Sequence, residues 1–133
     1  MTIVPSIEVY KSVVEECIEG RATDLNDISQ QIWKKPELGF EEREAHDLLA
    51  NFLQKEGFTV SRNTPLETSF VARYGASAVE REKSGQYGRL LKVGVCCEYD
   101  ALPGIGHACG HNLIAEAGIA AALGKICYIP IGR

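Results

Sequence analysis

His107 and His111, two of the three histidines in this chain of 133 residues, lie close together with Cys109 midway between them. Imidazole nitrogen and thiolate sulfur are the donors that zinc prefers. In an extended segment alternate residues project to one side, so positions 107, 109 and 111 are expected to share a face. Gly104, Gly106 and Gly110 in the same stretch allow the backbone to fold tightly around an ion. A divalent metal held there would activate water and polarise a carbonyl. Asp100 has two readings. It orients a ligating histidine through the ring nitrogen that the metal does not use, or it caps the turn at Ala101-Leu102-Pro103. Glu98 reads as the end of a strand, with direct metal ligation as the alternative. Two rival readings stand beside these. A glycine-rich phosphate loop is disfavoured, because the third glycine comes a residue too late for G-x-G-x-x-G and no Lys-Ser or Lys-Thr follows. A small structural zinc module would use Cys97, His107, Cys109 and His111, and its mark would be zinc uptake linked to folding.

The elements around this block can be read from periodicity. Residues 6–20 are expected to form a helix, with Val9, Val13, Cys17 and Ile18 on its apolar face and Gly20 as its stop. A second helix begins at Thr23 or Asp24, carries Leu25, Ile28, Ile32 and Trp33 inward, and ends at Pro36. The Pro36–Phe40 stretch forms a turn. A third helix runs from about 41 to 56, lined by Ala45, Leu48, Leu49, Phe52 and Leu53, with Glu41 and Glu42 suited to its start. Strands follow at 58–60, 68–74 and 90–97, the last apolar enough to be a central buried strand. Residues 75–88 are a solvated loop. The glycine-rich block at 100–112 then leads into a last helix from Asn112 to Gly124. Helices, then strands, then a strand-loop-helix unit predict an α/β layered fold.

Composition narrows the class. A 45% hydrophobic and 24% charged chain is ordinary for one globular domain with one core. A net charge of −4 without a basic stripe gives no ground for nucleic-acid binding. No stretch of about 18 apolar residues predicts a membrane span, and the first residues lack the pattern of a secretory signal. Five cysteines, an odd and unevenly spaced set, favour free thiols in a reducing compartment, with Cys17 and Cys127 as small buried hydrophobes.

Three blocks, Pro36-Glu-Leu-Gly-Phe-Glu-Glu42, Glu98-Tyr-Asp-Ala-Leu-Pro103 and Gly106-His-Ala-Cys-Gly-His-Asn-Leu-Ile-Ala115, resemble the aminoacylase, carboxypeptidase and amidohydrolase zinc peptidases of family M-20. Asn112 agrees with a dipeptidase branch of that family, described as cytosolic and acting on dipeptides that end in a basic residue, such as β-alanyl-lysine. The commoner amidohydrolase branch has Asp there. The resemblance implies an α/β zinc-binding domain, helices packed on a mixed central sheet, with a lid domain that is absent from this sequence and often mediates homodimerisation. It implies Cys109 and His111 as metal ligands, with Asp100, His107 and Asn112 around them in the pocket. It implies two zinc ions and hydrolysis of an amide bond in a dipeptide or an N-acyl amino acid. The general-base glutamate belongs to a Glu-Glu pair expected beyond residue 133, so no residue of this sequence is assigned that role. On this reading residues 1–124 are the N-terminal part of the catalytic domain and 125–133 an atypical tail. The chain by itself is then expected to be inactive, or to serve as a non-catalytic fragment. Neither nucleic acid nor membrane is expected as a partner.

Overall fold

The computed structural model describes residues 6–75 and 92–128. The elements run α1 (Ile7–Glu19), α2 (Ala22–Lys34), α3 (Arg43–Lys55), β1 (Thr59–Arg62), β2 (Phe70–Arg73) and α4 (His111–Tyr128). The chain is therefore a mixed α/β structure, as its periodicity predicts. The core is built where the helical spacing is cleanest. Leu25, Ile28 and Ile32 from α2 meet Ala45, Leu49 and Leu53 from α3, and Ala115, Ile119 and Leu123 from α4. Phe58, just ahead of β1, joins them and packs on Tyr74 with ring centroids 5.3 Å apart. Strands β1 and β2 pair antiparallel, from Thr59 opposite Arg73 to Arg62 opposite Phe70.

Several expectations are corrected. Trp33 is 56% exposed instead of turning into the core with Ile32. On α1, Val9 and Val13 face solvent, and Val14, Cys17 and Ile18 make the contact with α4. No residue of α1 is buried. The segment expected as a central strand is seen from residue 92 onward, and it has no regular structure there. Val93 and Val95 are exposed. The physical reason is that a strand needs neighbours for its backbone N–H and C=O groups, while β1 and β2 satisfy only each other. The start of that segment, and the loop expected up to Gly88, lie at 76–91, outside the described residues.

Cys17 and Cys127 are joined in a disulfide, with Cα atoms 6.4 Å apart, so the expectation of five free thiols is overturned for this pair. Packing of α1 along α4 brings together residues 110 positions apart in the chain. Gly124 makes that packing close, since a Cβ there would come within 2.9 Å of Val14 Cγ1. Cys96, Cys97 and Cys109 are free. Helix α4 continues past Gly124 to Tyr128, and it begins at His111, one residue earlier than its sequence pattern suggests. Among the described residues no helix is long and apolar enough to cross a membrane.

Candidate metal site

The loop that carries the metal-type residues is held from outside by the Pro36–Phe40 turn. The Ala101 N–H donates to the Glu37 carbonyl at 2.7 Å, and Leu38 bridges Ala101 in parallel. Pro36 lies against Gly106, whose φ of +59° would strain any other residue. The Glu37 side chain meanwhile accepts the N–H groups of Arg43, Glu44 and Ala45 at 2.9–3.0 Å. These are orphan donors at the start of α3. Glu37, and not Glu41 or Glu42, is therefore the carboxylate at this helix N-terminus. One residue thus ties α3 to the loop.

Within the loop, Leu102 and Gly106 exchange backbone hydrogen bonds, and the Gly110 N–H donates to the His107 carbonyl. These successive turns replace the extended run in which 107, 109 and 111 would share a face. The loop instead gathers side chains around Asp100. His111 Nδ1 lies 2.9 Å from the Asp100 carbonyl oxygen and 2.8 Å from its Oδ1. Two oxygen acceptors make Nδ1 the protonated nitrogen and leave Nε2 as the atom free for a metal. Cys109 Sγ contacts the same carbonyl at 3.7 Å. Glu98 Oε2 lies 3.2 Å from His111 Nε2. Glu98 is thus not the end of a strand, because its carboxylate faces the imidazole.

His107 turns away from this cluster and is 7% exposed. Neither ring nitrogen has a hydrogen-bond partner within geometry. Burial, aided by the nearby His111, pushes its pKa down from the ordinary value, against a smaller opposing influence of the Ile32 carbonyl. Asn112 is buried and donates through Nδ2 to Ser29 Oγ at 3.1 Å, which fixes the start of α4 on α2. Gln30, Trp33, His107, Cys109 and Asn112 border an open cavity of about 480 Å³ beside the loop. Cys97 is no part of this group. It packs on α4 at Gly118, where a Cβ would fall 2.0 Å from its Sγ. Burial raises its pKa above the usual thiol range. Among the described residues no three His, Cys, Asp or Glu side chains converge as a metal cage, so the structural zinc module of Cys97, His107, Cys109 and His111 is not formed.

A second polar cluster went unread in the sequence. Buried Glu42 accepts a 2.5 Å hydrogen bond from Thr68 Oγ1, and Tyr99 OH donates to the Thr68 carbonyl at 2.5 Å. Burial, with the Glu42 charge second, pushes the Tyr99 pKa up to about 12. Tyr99 lies between Glu98 and Asp100, so this cluster anchors the passage into the loop on the β1–β2 side. The third histidine, His46, is likewise buried against Phe70 and pairs through Nδ1 with Asp47 at 3.0 Å. Only tertiary packing reveals these contacts, since no local spacing links residues 42, 68 and 99.

The match with known proteins fits these blocks. The chain is 45% identical over 122 residues to the human Xaa-Arg dipeptidase and 43% identical to its mouse counterpart, the alignments covering 89% of this chain and 28% and 27% of those proteins. It is 35% identical over 122 residues to a p-aminobenzoyl-glutamate hydrolase protein of Escherichia coli K12, covering 87% of this chain and 25% of that protein. This chain is a relative of the M-20 peptidases. It spans about a quarter of the length of the curated relatives it matches. No family-level sequence profile matches it. The M-20 relatives are hydrolases of the dipeptidase and amidohydrolase kind.

Proposed function

We propose that this chain contributes one part of a zinc site for hydrolysis of the amide bond in a dipeptide or an N-acyl amino acid. The observation that carries the reading is the grip of Asp100 on His111 Nδ1, which leaves Nε2 for a metal. Beside it stands the Cys109 thiol, gathered on the same carbonyl. Imidazole, thiol and carboxylate suit a borderline cation such as zinc. Bound there, such a cation supplies Lewis-acid activation of water and carbonyl. The chain's own residues hold and orient: Cys109 and His111 donate, Asp100 fixes the tautomer, and Glu98 stands close enough to join through its carboxylate. The names of the dipeptidase relatives favour a substrate with a basic C-terminal residue.

For the isolated chain the reading is more restricted. Catalytic zinc sites use three protein ligands and an open position, and three such side chains do not converge among the described residues. The isolated chain therefore holds zinc weakly and does not turn over substrate; a second zinc, the general base and any lid-mediated homodimer come from protein outside this sequence. Its place is the cytoplasm, as the resemblance implies. The test is zinc titration of the chain by calorimetry, with Asp100→Asn and His111→Ala alongside. Asp100→Asn weakens affinity by about 10–100-fold, and His111→Ala abolishes it. Equal affinity in all three proteins would sink the assignment.

A further inference from the structure

Among the described residues, helix α1 is the one helix without a buried residue. It rests on α4 through Val14, Cys17 and Ile18, two of which crowd Gly124. Its ties to α2 are the short connection at Gly20-Arg21 and the backbone bonds there. Apolar burial therefore contributes little to hold it, and a covalent bond does the holding: Cys17 of α1 to Cys127 near the end of α4. Cys127 is exposed and Cys17 only half-buried, so the bond stands at the surface where a reagent can reach it.

We propose that the Cys17–Cys127 disulfide is a redox-operated latch that keeps α1 on α4 when oxidised and releases it when reduced. A dithiol reductant, small-molecule or thioredoxin-like, attacks Cys127 Sγ as thiolate. The Sγ–Sγ bond breaks, a mixed disulfide forms on Cys127, and Cys17 leaves as thiolate and takes up a proton. The second thiol of the reductant then closes on the mixed disulfide and frees Cys127. Two electrons and two protons pass to the protein, and the dithiol ends as its own disulfide. The Cys17 sulfur lies 3.7 Å from the Leu123 carbonyl, a contact too weak to replace the bond once the thiol is free. Release of α1 uncovers the apolar surface of α4 around Leu123 and Gly124, and widens the groove lined by Ile18, Leu25, Leu113 and Ala120. The α2–α3–β core does not depend on α1 for its buried residues and persists.

The experiment uses the full chain prepared without reductant and then treated with dithiothreitol. Thiols are counted by alkylation in denaturant with mass spectrometry, and amide exchange is followed in the native state. Before reduction Cys96, Cys97 and Cys109 are alkylated; after it, Cys17 and Cys127 as well. Reduction removes exchange protection from residues 7–19 and leaves that of α2 and α3 in place. Cys127→Ser, at an exposed position, gives the unprotected α1 with or without reductant; if this variant does not fold, the oxidised and reduced wild-type chains decide the matter. Alkylation of Cys17 and Cys127 without reductant, or equal protection of α1 in both states, overturns the latch.

Discussion

Asp100 does most of the organising at the scale of single residues. Its carbonyl and its carboxylate both meet His111 Nδ1, and its carbonyl also meets Cys109. Spacing alone allows Asp100 to be either a turn cap or a histidine partner; the geometry places its carboxylate on the imidazole. Spacing could not show that His107 faces inward, because successive turns rotate the chain between 107 and 111. Tyr99, next to this aspartate, gives a test in pH. Its pKa is raised, so the folded chain resists losing that proton while the unfolded chain loses it near 10. The stability is complete below pH 10 and falls as pH rises from there toward 12. Tyr99→Phe removes that alkaline loss, which urea denaturation at pH 8 and pH 11 will measure as a smaller drop than in the parent chain.

At the scale of elements, the positions and faces of α2, α3 and α4 were legible because apolar residues recur at helical spacing. Two features were not. The carboxylate at the start of α3 comes from Glu37, in the preceding turn, where no within-helix rule would look. Glu37→Ala leaves three N–H groups without their acceptor and removes a clamp from the metal loop. It should lower stability by about 1–2 kcal/mol, as loss of a good cap does, measured by chemical denaturation. The second feature is Gly118, which lets Cys97 and Val95 lie directly on α4. Gly118→Ala drives a Cβ into Cys97 and should destabilise by about 1–3 kcal/mol. Adding Cys97→Ala should recover most of that loss, because the collision is with its sulfur; equal loss in the double variant would contradict the contact.

For the whole molecule, an α/β class and a hydrolase resemblance were readable, whereas the central strand was not realised in the described residues. Periodicity states what a segment can do, and a ladder also needs a neighbour. The consequence is apolar surface left open: Trp33, Phe40, Val93, Ile105 and Leu113 are each more than half exposed. Such surface favours association, so sedimentation velocity should show self-association that grows with concentration; a chain that stays monomeric throughout would contradict it. The central claim is that Cys109 and His111 form part of a zinc site that this chain does not complete. It is tested most directly by measuring bound zinc and hydrolysis of β-alanyl-lysine together, on the purified chain and on its Cys109→Ala and His111→Ala variants. The account predicts weak zinc uptake, lost in either variant, and no hydrolysis in any of them. Zinc uptake unchanged by both substitutions, or turnover by the chain alone, would contradict it.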